Sequence, residues 1–164
     1  MIAVGIDPGL TGAVAFVDSR GTHVIEEMPT LALPGNPYVK RRVDGRKLAD
    51  VLRSHCPVGE PVRVLVEAVH TIGSGGRAGN ALQTQGSLLR TLGAIEAVLE
   101  VLRLDFESVD VRRWKGFYAL GADKDESLDV ARRLYPSASL KRKADHNKAE
   151  ALLIAHFGLR SGLA

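Results

Sequence analysis

The chain has 164 residues, of which 45% are hydrophobic and 25% charged, the ordinary balance of one globular domain with a sizeable core. No apolar run approaches the ~18 residues of a membrane span. The N-terminus has no basic stretch leading into an apolar one, so neither a membrane protein nor a signal peptide is expected. The single cysteine, Cys56, excludes an intramolecular disulfide, fits a reducing compartment and reads as a structural residue. Net charge is only +3 but it is unevenly placed: eleven basic residues face six acidic ones from Val111 to Ala164, and Lys40-Arg41-Arg42 form a second basic knot. Clusters of this kind suit a phosphate backbone, although either one alone also reads as solvated surface.

Taken in order, MIAVGID is a short buried strand and LTGAVAFVDS a half-buried one, joined through the turn Asp7-Pro8-Gly9. THVIEEM is a third strand, and the three runs form an antiparallel meander. TLALPGNPYVKRRV contains Pro34, Gly35 and Pro37 and reads as a loop. Asp44 is a candidate cap for the helix GRKLADVLRSH, with Leu48, Val51 and Leu52 on its apolar stripe. VRVLVE has the near-continuous apolar character of a central strand and ends at Glu67. HTIGSGGRAGN is a glycine-rich loop. Asn80 is a candidate cap for the long helix ALQTQGSLLRTLGAIEAVLEVL. RLDFESVDV is the last strand, VRRWKGFYAL a short helix or turn, and DKDESLDVARRLYP a helix closed by Pro136. SASLKRKADH is a basic connector into the final helix HNKAEALLIAHFGL, with Gly158 near its end. The predicted order is β-β-β-α-β-α-β-α-α, without internal repeats.

Asp7 and Glu67 share one feature: each is a carboxylate ending a run too apolar to hold it in a core. A buried carboxylate is costly unless it is paired or metal-bound. If the first and fourth strands are parallel neighbours, both acids reach the same sheet end, where sites form in α/β folds. Asp145, His146 and Glu150 stand at the entrance of the last helix, with His146 and Glu150 four residues apart on one face. Several carboxylates without basic partners repel one another, and oxygen ligands relieve this by binding Mg²⁺, with Mn²⁺ as substitute. Two such ions ~3.5–4 Å apart are the usual device for phosphodiester hydrolysis. Each acid alone also has a structural reading: Asp7 as turn former, Glu67 as half of an ion pair, His146 as a capping or water-orienting group.

GIDPGLTGAVA, the strand-end glutamate of VLVEAVH, and DHNKAEALLIA together resemble the RuvC-type Holliday junction resolvases of the ribonuclease H-like superfamily. The block VDVRRWKGFYALGADKDESLDVARRLYP is similar to phage and bacterial RuvC-like endonucleases. The likeness runs from Ile2 to about Leu159. It implies a five-stranded mixed sheet in the order 3-2-1-4-5 with helices on both faces. It also implies a homodimer on a four-way or other branched DNA, and Mg²⁺-dependent hydrolysis with two ions per site and no small-molecule cofactor. The compartment implied is the cytoplasm of a bacterial or phage-infected cell, with an organelle as the alternative.

Residue by residue, the family's acids fall on Asp7, Glu67 and Glu150. The remaining acid of many cellular members stands three residues before the last, which here is Asn147. The phage-like pattern places it instead at the helix entrance, on Asp145, with His146 beside it. Where cellular members carry an aromatic wedge after the strand-end glutamate, this chain has His70, a weaker stacking group. The loop Gly73 to Gly79, with Arg77, is the alternative source of junction contacts.

Candidate DNA contacts are His70, Arg77, Lys40, Arg41, Arg42, Arg112, Arg113, Lys115 and the connector Lys141, Arg142 and Lys143. Trp114 reads as a core anchor and the long helix as the dimer element. Competing readings are a ribonuclease of the same superfamily, an actin-like ATPase for which the chain is too short, and a non-catalytic junction-binding module.

Overall fold

The fold follows from which strand faces the apolar runs can cover. It is described here from a computed structural model over residues 1–35, 40–69, 78–121 and 123–161, and over all their side chains except those of 78–84 and 124. His70 and Arg77 lie outside the described residues.

The main sheet has five strands. β1 (Ile2–Ile6) pairs antiparallel with β2 (Ala13–Asp18), which pairs antiparallel with β3 (His23–Glu27). On its other side β1 runs parallel to β6 (Val62–Glu67), and β6 runs parallel to β7 (Phe106–Val109). The order β3-β2-β1-β6-β7 is the expected 3-2-1-4-5 arrangement once strands of the main sheet alone are counted.

Side chains alternate across a strand, so the sheet buries two separate sets. Val4, Ile6, Val14, Phe16, Val64 and Val66 pack under α1 (Gly45–His55) and α2 (Ala78–Val101). Ala3, Ala13, Ala15, Val17, Leu65 and Val109 pack under α3 (Val111–Phe117), α4 (Lys124–Leu134) and α5 (His146–Ser161). α5 is apolar all round because it lies between sheet and helices, with residues 151–155 fully buried. Its backbone sits directly on β1: a Cβ at Gly5 would lie 2.2 Å from the Ala151 carbonyl oxygen and 2.3 Å from the Ala155 nitrogen. Small residues at 3, 5, 13 and 15 permit this close approach.

Two local expectations change. The segment read as a loop after β3 contains a second, two-stranded sheet, β4 (Thr30–Ala32) with β5 (Arg41–Val43). Three-residue strands around Pro34 and Gly35 carry too little periodicity to be seen in sequence. Asn80 does not cap the long helix, which already runs from Ala78. Gly158 lies near the end of α5, as expected, and makes room for Leu65, whose Cδ1 lies 2.2 Å from where a Cβ would stand. Asp44 does cap α1, its carboxylate accepting the Lys47 N–H at 3.1 Å.

Candidate active site

The site begins at the ends of the two central parallel strands. Ile6 pairs with Val66, so Asp7 and Glu67 are the next residues along adjacent strands. By alternation both follow Gly5 and Leu65 onto the face covered by α3 and α5. Asp7 is held in a tight turn: its N–H donates to the Ala13 carbonyl at 3.0 Å, and its Oδ1 accepts the Gly9 N–H at 3.2 Å. Gly12 closes the turn, since a Cβ there would come within 2.1 Å of the Asp7 carbonyl oxygen. The turn-forming role is therefore real, and it aims the carboxylate.

α3 supplies two partners. Asp110 caps it, accepting the Arg112 N–H at 2.7 Å, and this fixes the helix beside β6. Trp114 is fully buried, yet its Nε1 donates to Glu67 Oε1 at 3.0 Å. Lys115, next in sequence, places Nζ 3.1 Å from Glu150 Oε1, with both side chains largely closed to solvent. Its ammonium also lies 5.3 Å from the centre of the Trp114 ring. Burial pushes the Glu67 carboxyl up to about 7; the charges of Asp7 and, less strongly, Glu150 add to the rise, while the Trp114 hydrogen bond and Lys115 oppose it. Asp7, Glu67, Glu150, Trp114 and Lys115 thus form one group.

Asp145 stands in a second group. It is buried, and its Oδ2 accepts the Arg142 N–H at 2.8 Å while Oδ1 accepts Arg142 Nη2 at 2.8 Å and Nε at 3.2 Å. Arg142 hydrogen bonding holds this carboxyl below its ordinary value. Lys148 lies 3.9 Å away and pairs with Glu27 at 2.7 Å. The residues 143–145 form a short 3₁₀ turn that Asp145 itself closes. His146 Nδ1 lies 3.3 Å from the Lys143 carbonyl, so it contacts the connector rather than Glu150. Asn147 Nδ2 donates to the Thr11 carbonyl at 2.8 Å and the Thr11 hydroxyl at 3.3 Å, tying α5 to the Asp7 turn.

The expected DNA contacts divide by partner. Lys115 is inside the site. Arg142 is tied to Asp145, and Lys143 pairs with Asp125 at 2.8 Å. Lys40, Arg41, Arg42, Arg112, Arg113 and Lys141 are exposed, Arg113 lying over the Phe157 ring.

The donor chemistry fits a hard divalent cation in type: oxygen ligands, with the Glu67 carboxyl raised by burial and then by its acidic neighbours. The bonds from Trp114 and Lys115 each engage Oε1, and neither Oε2 takes part in a hydrogen bond among the described residues. As they stand, no three carboxylate, histidine or cysteine groups among the described residues are close enough to hold a metal ion. A cation entering here competes with Lys115 for Glu150. Neither the Trp114–Glu67 nor the Lys115–Glu150 contact was legible in sequence. The one available signal was the adjacency of the two residues just after a capped helix start.

A five-stranded mixed sheet, helices on both faces and acids at the ends of its two central parallel strands define the ribonuclease H-like architecture. Within it, the chain has the fold of the RuvC Holliday junction resolvases. Thermus thermophilus RuvC in complex with a Holliday junction substrate matches with a TM-score of 0.64 and 20% identity, covering 99% of this chain and 96% of that one. A second Thermus thermophilus RuvC structure matches with a TM-score of 0.61 and 17% identity, covering 99% and 97%. No family model and no curated protein matches the sequence.

Proposed function

We propose that the protein is a divalent-metal-dependent endonuclease that resolves four-way DNA junctions. The observation that carries this reading is the placement of Asp7 and Glu67 one residue beyond the paired Ile6 and Val66, with the charge of Glu150 from α5 bearing on Glu67, on a fold shared end to end with a junction-bound RuvC. These three carboxylates are the proposed ligands for Mg²⁺ or Mn²⁺. When bound, the ions would supply an activated water and stabilise the departing oxygen, work that two-metal sites divide between their ions.

The remaining work falls to the chain. Trp114 orients Glu67. Lys115 neutralises Glu150 until a cation takes over. Asn147 clamps the turn that aims Asp7. Asp145 enters as the fastener of the α5 entrance through Arg142, and His146 as its neighbour on the connector. Exposed Arg112, Arg113 and Lys141 around this end of the sheet suit the phosphates of the reacting strand.

A homodimer supplies the second active site that a symmetric junction requires. α2 supports it with an outward stripe of Gly86, Leu89, Gly93, Ala97 and Val101, small or apolar residues at helical spacing that are exposed in one chain. Sedimentation at micromolar protein should give twice the chain mass; a monomer contradicts the dimer.

The test of substrate class is a panel of labelled four-way DNA, plain DNA duplex and RNA duplex with Mg²⁺. Paired nicks confined to the junction support the proposal. Preferential RNA cleavage points to a ribonuclease of the same fold, and tight junction binding without nicks to a binding module.

A further inference from the structure

The β4–β5 hairpin leaves the main sheet and carries charge the reaction does not use. Its strands are stitched from Thr30↔Val43 to Ala32↔Arg41, and the Leu33 N–H closes onto the Lys40 carbonyl at 2.8 Å. Val43 is buried under α1 and α2, which anchors the hairpin, while Arg41 and Arg42 stay exposed. Alternation sends the two arginines to different clefts. Arg41 borders a cleft of about 210 Å³ lined also by Thr11, Asn147 and the pairs Arg142–Asp145 and Lys148–Glu27, beside the turn that carries Asp7. Arg42 borders a wider cleft of about 820 Å³ with Arg46 and Lys47 at the start of α1. Both arginines also line a third, small cleft with Arg90 of α2. Arg41, Arg42, Arg46, Lys47 and Arg90 therefore form a basic strip from the hairpin across α1 and α2, while Arg142 and Lys148 at its inner end are already paired with Asp145 and Glu27.

The charge of the strip itself is uncompensated among the described residues. Asp44 is committed to capping α1, and Asp50 lies 3.5 Å from Arg53. Among the described residues none of Lys40, Arg41, Arg42, Arg46, Lys47 and Arg90 pairs with a carboxylate. Arg41 is instead steadied by donating to the Thr30 hydroxyl. A row of cations in open, shallow clefts suits a polyanion with closely spaced phosphates and no required sequence.

We propose that the hairpin is a second DNA-holding surface, taking the sugar–phosphate backbone of a duplex arm as it leaves the reacting strand. This rests on the junction-endonuclease reading and adds the arm that the reaction centre does not touch.

The experiment measures binding of the full chain in EDTA to a four-way junction with long arms and to one with arms cut to a few base pairs, each across a salt series. Arg41→Ala/Arg42→Ala is compared with wild type and with Arg41→Lys/Arg42→Lys, thermal melting confirming that each folds. The alanine pair should bind the long-armed junction more weakly, flatten the salt dependence by about two units of slope, and lose the preference for long arms. The lysine pair should keep slope and preference. A wild type that binds the junction in EDTA and nicks it once Mg²⁺ is added, while the alanine pair keeps the full slope, overturns the hairpin alone. A wild type that binds no DNA overturns both readings. Tighter hairpin-dependent binding to RNA duplex overturns the assignment to a DNA arm.

Discussion

Lys115 Nζ stands 3.1 Å from Glu150 Oε1 in a pocket where the two side chains retain only 16% and 10% of their exposure. The ammonium is the internal counter-ion of a site otherwise built from acids. Lys115→Met leaves Glu150 buried and unpaired beside Glu67, a change worth about 3 kcal/mol for a buried pair. The variant should therefore melt well below wild type in EDTA and regain much of the difference in millimolar Mg²⁺. Equal melting in EDTA contradicts the counter-ion role.

The Trp114 N–H is the main restraint on the raised Glu67 carboxyl, so its removal has a definite sign. Glu67 titrates at about 7 in the folded chain against an ordinary 4.5. The folded state thus holds the proton longer, and this group's contribution to stability is full at low pH and falls as pH rises through that window. Trp114→Phe keeps most of the packing and loses the bond that favours the carboxylate. The Glu67 titration should move above its present position, and the acid limb of the cleavage profile should move to higher pH with it. Glu67→Gln should flatten the metal-free stability curve over the same range. An acid limb unmoved in Trp114→Phe contradicts the coupling.

Asn147 gives a prediction of opposite sign under the two roles open to it. Its amide donates to Thr11, which a carboxylate cannot do. Asn147→Asp should loosen the Asp7 turn, lower cleavage and weaken binding of Mn²⁺ measured by calorimetry. Tighter Mn²⁺ binding with faster cleavage would show the position to be a vacant ligand instead.

The junction of α5 with β1 sets the position of Glu150. Gly5→Ala puts a methyl group into the α5 backbone, which cannot give way as a side chain can. A loss of about 3 kcal/mol or more is expected from overpacking of this severity. Denaturant unfolding measures it, and a loss below 1 kcal/mol contradicts the close approach.

What sequence alone disclosed follows a physical boundary. The sheet was legible because its strands are apolar runs broken by glycine, proline and acid. Asp7 and Glu67 stood out because an isolated carboxylate ending such a run needs a partner. The arrangement at the α5 entrance was hidden. Asp145 stands five residues before Glu150, at the helix entrance, and nothing local shows that Arg142 claims both its oxygens. The contact between Glu67 and Trp114 joins residues 47 apart, and Trp114 reads as a core residue because it is one. The hairpin was lost because its strands are three residues long and flank a stretch rich in proline and glycine.

The central claim is that Asp7, Glu67 and Glu150 make a metal-dependent nuclease. The most direct test is cleavage of a labelled four-way junction with and without Mg²⁺, comparing wild type with Asp7→Asn, which keeps the oxygen that accepts from Gly9. Symmetric paired nicks that require Mg²⁺ and vanish in Asp7→Asn, with junction binding retained, are the result expected. Nicks that persist in Asp7→Asn, or junction binding without nicks in either Mg²⁺ or Mn²⁺, would contradict it.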